Sequence, residues 1–120
     1  MTFNVGIIGL GYVGLPLCLA VSKKHKTKGY DINHKLVEDL KNNKDNFGIV
    51  KEEALIEFEG EFSDDPSSLK DCNFFIVTVP TPVDEQNKPD LTAIKSATRQ
   101  IAMMLTKGAI VCYESTVYPG

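Results

Sequence analysis

Metal-ligating and crosslinking side chains are scarce in this chain. Its only histidines are His25 and His34, and its three cysteines, Cys18, Cys72 and Cys112, are odd in number, widely spaced and form no Cys-x-x-Cys pair. That pattern gives neither a disulfide framework nor a zinc ligand set, and it fits a reducing cytoplasm with the thiols as small buried hydrophobes. No metal site is expected. Excess positive charge is missing too. With 13 Lys and Arg against 16 Asp and Glu, a net charge of −3 and a pI of 5.3, nothing draws the chain broadly to nucleic acid or to an anionic membrane. A local basic cluster, Lys23, Lys24, His25, Lys26 and Lys28, falls at the end of the first expected helix, where cations complement the helix dipole.

Charge is absent altogether from Val5 to Val21, a run long enough to raise the question of a signal-peptide core or membrane span. Gly6, Gly9, Gly11, Gly14 and Pro16 would weaken a lone helix there, no Lys or Arg precedes the run, and no small-x-small cleavage site stands out. No membrane partner is expected. At 120 residues and 42% hydrophobic content the chain can bury one core, so a single soluble domain over 1–120 is the default.

What the run contains is a short apolar strand, Asn4 to Ile8, leading into Gly9-Leu10-Gly11-Tyr12-Val13-Gly14. The spacing is G-x-G-x-x-G. Gly9 can take the tight turn off the strand, Gly11 has no Cβ to keep a pyrophosphate from the backbone, and Gly14 lets the following helix lie close on the sheet. Free N–H groups near Gly11, Tyr12 and Val13, at the positive end of that helix, would face phosphates. Val13, Leu17, Ala20 and Val21 recur at helical spacing and predict the buried face. Pro16 costs the helix one backbone hydrogen bond, to Tyr12.

A second strand, Lys26 to Asp31, ends in a carboxylate 22 positions after Gly9. That is close to the ~20 at which an acid bonds the adenosine ribose of a dinucleotide. Asp31 would repel a 2′-phosphate, which favours NAD and disfavours NADP despite His34 and Lys35 nearby. Strand, glycine turn, helix, strand and acid together are the layout of a dinucleotide-binding unit.

Beyond Asp31 the alternation continues. A second helix is expected from about Asn33 to Asn42, capped by Asn33, then a loop and short acidic helix within 43–61 whose glutamates mark a solvated face. Phe62-Ser63 predicts a brief third strand, and Asp64 to Leu69 a helical turn. Asn73 to Val79 is the best strand in the chain, and Pro80-Thr81-Pro82 stops it. A long crossover helix follows from Asp90 to Lys107, then a fifth strand, Ala109 to Tyr113, delivering Glu114-Ser115-Thr116. In an open parallel sheet, ligands bind where the strands end, which places Thr81 and Thr116 at the cofactor edge. Neither Ser115 nor Thr116 has an identifiable base, so a serine nucleophile is not expected; a hydroxyl at the nicotinamide end and a plain turn cap are the two readings. The expected fold class is α/β, a Rossmann-like doubly wound parallel sheet in the order 3-2-1-4-5, expected to be incomplete at its C-terminal end.

Three stretches read together, Gly9 to Pro16, Val77-Thr78-Val79-Pro80-Thr81-Pro82 and Tyr113 to Gly120, resemble the UDP-glucose/GDP-mannose dehydrogenase family over nearly the whole chain. The wording Pro80-Thr81-Pro82-Val83-Asp84, with Lys88-Pro89-Asp90-Leu91 and Tyr118-Pro119-Gly120, is most similar to the branch oxidising UDP-N-acetylhexosamines for bacterial capsule or O-antigen synthesis. The resemblance implies oxidation of C6 of a nucleotide sugar from alcohol to carboxylate with two NAD reduced in succession. It implies that Val13 and Asp31 hold the adenosine half of NAD, and that Thr81 and Thr116, beside Pro80, hold the nicotinamide half. Lys35 would support the ribose, although relatives often carry the basic residue one position later, where this chain has Leu36.

In that family a carboxylate soon follows the Tyr118-Pro119-Gly120 segment, and a lysine, an asparagine and a nucleophilic cysteine lie far downstream. None of Cys18, Cys72 or Cys112 matches the cysteine motif, so no catalytic residue is assigned. The expectation is the cofactor domain of a longer, homo-oligomeric cytoplasmic enzyme, inactive alone and binding its UDP-sugar only in full length. The alternatives are a UDP-glucose 6-dehydrogenase or a non-catalytic NAD-sensing module.

Overall fold

A computed structural model describes residues 3–78, 92–102 and 108–113. Among the described residues five parallel strands form one sheet in the order β3-β2-β1-β4-β5, as expected from the sequence: β1 Asn4–Ile8, β2 Lys26–Tyr30, β3 Glu61–Ser63, β4 Phe74–Val77 and β5 Ile110–Tyr113. The chain steps outward from β1 through β2 to β3, returns to the other side of β1 for β4, and continues to β5. The reversal of direction lies between β1 and β4, and all strand C-termini share one edge. Their pairing is anchored at the opposite edge, where the Asn73 N–H donates to the Asn4 carbonyl at 2.8 Å and the Asn4 N–H to Oδ1 of Asn73 at 2.9 Å.

Side chains alternate across the pleat, so an uninterrupted apolar run is stable only when both faces are covered. On β1, Val5 and Ile7 join one core cluster and Ile8 the other; on β4, Phe74 and Ile76 pack on the first and Phe75 and Val77 on the second. Helices α1 Gly14–Val21, α2 His34–Lys41 and α3 Glu52–Ile56 cover the first face through Leu15, Cys18, Val37, Leu40 and Leu55. The other face is covered by Leu69, from the 3-10 turn at Pro66–Leu69, and by Ile101 of α4 Thr92–Ala102. Asn33 caps α2 as expected, accepting from the Leu36 N–H at 3.1 Å, and Asp65 caps the 3-10 turn by accepting from Ser67 at 3.0 Å.

The expected buried face of α1 is corrected. The side against the sheet is Gly14, Leu15 and Cys18, while Val13 and Ala20 are exposed and Leu17 and Val21 only partly covered. Every residue of α1 is apolar or small, so hydrophobic spacing contains no information about which side faces in; Gly14 decides, because the smallest residue sets the closest approach. Pro16 is exposed in the first turn, flanked by bonds from Leu15 to Gly11 at 3.1 Å and from Leu17 to Val13 at 3.3 Å. The fourth strand stops at Val77 and Thr78 follows it; Val79 lies outside the described residues, as do the outer parts of the expected crossover helix.

Burial also sets the cysteine chemistry. Desolvation pushes the Cys18 thiol up to about 12 and, as the main cause, that of Cys72 to about 11, whereas Cys112 is partly exposed. Since the thiolate is the reactive form, native protein treated with a chromogenic disulfide at mildly alkaline pH should react at Cys112 and spare Cys18 and Cys72 until unfolded. Equal native rates at all three would contradict this packing.

Candidate nucleotide-binding site

At the C-terminal ends of β1 and β2 the backbone makes a turn whose conformation only glycine tolerates without strain. Gly9 has φ of 100°, in the left-handed region. Its N–H donates to the Tyr30 carbonyl at 2.8 Å, which ties the turn to the end of β2. The next amide, Leu10 N–H, donates to Oδ2 of Asp31 at 2.9 Å, and Oδ1 of the same carboxylate accepts from Asn33 N–H at 2.9 Å. Asp31 is therefore brought to the glycine turn, as the sequence spacing requires, and is partly buried there.

On the β4 side the turn is held by a residue that sequence reasoning missed. The buried Thr78 hydroxyl donates to the Gly9 carbonyl at 2.7 Å and lies 3.1 Å from the Ile8 carbonyl. Its amide donates to Ile8 O at 2.8 Å, continuing the ladder one residue past β4. A β-hydroxyl at the end of the best strand, beside the point where strand order reverses, was the available signal.

The three motif glycines do three different things. A Cβ on Gly14 would lie 1.7 Å from the Gly9 carbonyl oxygen and 2.3 Å from Thr78 Oγ1, so the first helical residue touches the turn backbone directly. A Cβ on Gly11 would meet nothing within 4 Å. No side chain caps the N-terminus of α1, and among the described residues the amides of Gly11, Tyr12 and Val13 have no hydrogen-bond acceptor. Tyr12 and Val13 are exposed at 75% and 51%, so those donors face an accessible surface. Orphan N–H groups at the positive end of a helix, with no side chain over Gly11, are what a diphosphate needs. A dinucleotide fits the residues present: amides for the diphosphate, and on Asp31 further lone pairs for hydroxyls.

Around Asp31 lie the residues that set local charge. His34 and Lys35 open α2, both exposed. His34 Nδ1 is hydrogen-bonded to Asp64 Oδ2, with Glu38 3.6 Å from its other ring nitrogen. The Asp64 hydrogen bond and charge raise the His34 imidazole above its ordinary value, and His34 in turn lowers Asp64. This pairing across 30 residues left no trace in the sequence. Lys35 is not engaged in an ion pair among the described residues. Pro80, Thr81 and Thr116 lie outside the described residues, so the site here is its β1, β2 and β4 part. Among the described residues no three His, Cys, Asp or Glu side chains could hold a metal, and no helix is long and apolar enough to cross a membrane. A recess at the opposite, N-terminal edge, between Lys26, Lys28, Glu59, Glu61 and Asp71, contains no nucleophile paired with a base.

Comparison with known proteins places this geometry. A family model described as the UDP-glucose/GDP-mannose dehydrogenase family, NAD binding domain, matches residues 3–120. The UDP-N-acetyl-D-glucosamine 6-dehydrogenase of Pseudomonas aeruginosa is 47% identical over 118 residues, covering 98% of this chain and 28% of that protein. Protein CapL of Staphylococcus aureus is 43% identical over 120 residues, 100% of this chain and 28% of its own length. The solved UDP-D-ManNAc dehydrogenase of Pyrococcus horikoshii superposes with a TM-score of 0.84 at 30% identity, over 97% of this chain and 29% of that one. The chain spans under a third of each.

Two measurements test the site. Gly14→Ala forces a methyl into backbone and should lower unfolding free energy by about 3 kcal/mol or more in urea titration. Gly11→Ala should stay within about 1 kcal/mol of the parent; equal losses would refute the division of labour. For His34, a raised folded-state value means its contribution is complete below the ordinary imidazole value of 6.5 and is lost as pH rises through the raised one. For Asp64, lowered in the fold, the contribution is complete above 3.8 and lost as pH falls through the lowered value. The pair is thus whole between 3.8 and 6.5. NMR titration should show the His34 midpoint above 6.5 and falling in Asp64→Asn; an unmoved midpoint would remove the pairing.

Proposed function

Because the chain belongs to the UDP-glucose/GDP-mannose dehydrogenase family, as its NAD-binding domain, we propose that it supplies the coenzyme half of a UDP-N-acetylhexosamine 6-dehydrogenase. The substrate class follows the relatives named for UDP-N-acetyl-D-glucosamine and UDP-D-ManNAc. The product is the corresponding uronate, for bacterial surface polysaccharide. NAD, when bound, supplies the hydride acceptor, and two are reduced per sugar as C6 goes from alcohol to carboxylate. The catalytic residues belong to the part of the relatives' length that this chain does not span, and none is assigned here.

The observation that carries the reading is the turn from Gly9 to Gly14, with its unengaged amides beside the Asp31 carboxylate. In this assignment the amides of Gly11, Tyr12 and Val13 hold the diphosphate, Gly9 shapes the turn, and Gly14 brings the helix dipole onto it. Asp31 accepts the adenosine ribose hydroxyls and Lys35 supports that end. Pro80, Thr81 and Thr116 are assigned the nicotinamide half. A carboxylate beside the ribose disfavours a 2′-phosphate, so NAD is preferred to NADP. The enzyme works in the cytoplasm, where its cysteines stay reduced. In this reading the full-length enzyme is a homo-oligomer.

Titration calorimetry of this chain with NAD and NADP tests the coenzyme assignment. NAD should bind more tightly than NADP, and Asp31→Ala should weaken NAD by roughly ten-fold or more, the worth of hydrogen bonds to a charged acceptor. Equal affinity for the two coenzymes, or no heat with either, would sink it. The sugar is read by assaying the full-length enzyme against UDP-N-acetylhexosamines and UDP-glucose.

A further inference from the structure

The coenzyme reading gives Asp31 a ribose to hold and gives Thr78 no task. Both side chains are already committed to the turn itself. From the β2 side, Asp31 fixes Leu10 N–H at 2.9 Å while anchored to Asn33 N–H at 2.9 Å. From the β4 side, the Thr78 hydroxyl fixes the Gly9 carbonyl at 2.7 Å. One grips the amide and the other the carbonyl of a single peptide unit, Gly9–Leu10, and the next residue, Gly11, is the first of the turn whose amide has no acceptor among the described residues. Thr78 Oγ1 also abuts Gly14, since a Cβ there would lie 2.3 Å from it.

We propose that Asp31 and Thr78 are positioning residues for the diphosphate, a two-sided clamp that presets the amides of Gly11, Tyr12 and Val13 in the direction they need. Preset donors bind an anion without first losing the freedom of a loose turn. The inference rests on the dinucleotide reading and deepens it: ribose and diphosphate recognition share Asp31, and a residue that touches no ligand sets part of the affinity.

Inorganic pyrophosphate separates this from the simpler account in which Asp31 serves only the ribose and Thr78 only fills space. It has no ribose. Charge alone makes Asp31 unfavourable to it, so deleting that acid should tighten pyrophosphate if electrostatics is the whole effect. Loss of the clamp acts in the opposite direction. Calorimetry on this chain would compare pyrophosphate and NAD for the parent, Thr78→Val, Thr78→Ser and Asp31→Ala. Thr78→Val should weaken both ligands by the same factor, about five-fold, with Thr78→Ser within about two-fold of the parent, because only the hydroxyl is needed. Asp31→Ala should weaken pyrophosphate as well, and NAD by more. Pyrophosphate bound unchanged by Thr78→Val, or as tightly or more tightly by Asp31→Ala, overturns the clamp. Should Thr78→Val give no folded chain by circular dichroism, the sign of the Asp31→Ala shift decides alone. A parent chain that binds neither ligand overturns the coenzyme reading instead.

Discussion

The contact on which the site depends is that between the Gly9 carbonyl and the Cα of Gly14. No side chain fits between them, since a Cβ would lie 1.7 Å from the oxygen. That closeness sets the start of α1 over the ends of β1 and β4 and leaves its first amides pointing past the turn rather than into a cap. The rest of the turn follows: Gly9 enters the left-handed region, Tyr30 accepts its amide, and Thr78 and Asp31 engage the two sides. A helix capped by its own side chain would be more stable alone and have no donors to offer.

The sheet makes this arrangement affordable. Because β1 and β4 are packed on both faces, their C-terminal ends are held by the core around Ile7, Ile8, Phe75 and Val77 as well as by the turn. The reversal of strand order between β1 and β4 opens the edge just where the turn sits. The family is one of NAD-binding domains, and here the acid beside the turn also holds the amides of Leu10 and Asn33.

Much of this was legible in the chain. The glycine turn, the order of the strands, the Asn33 cap and the place of Asp31 beside the turn all depend on contacts local in sequence or on a fixed register between neighbouring strands, and the structure has them where they were expected. The buried face of α1 was misread, because a helix apolar on every side has no preferred side until a sheet is laid against it. The contact of Thr78 with Gly9 and the His34–Asp64 pair were missed for a related reason: each joins segments distant along the chain, and the partner is chosen only when the strands are side by side.

Element order, the parallel sheet and the glycine turn were already set by the chain, since glycine tolerance, alternation and helix spacing are properties of short segments. Folding alone settled which face of α1 is buried, that Asp31 holds Leu10 and Asn33, and that Thr78 closes the turn from β4. Those outcomes depend on distances between strands, and such distances exist only after the chain has packed.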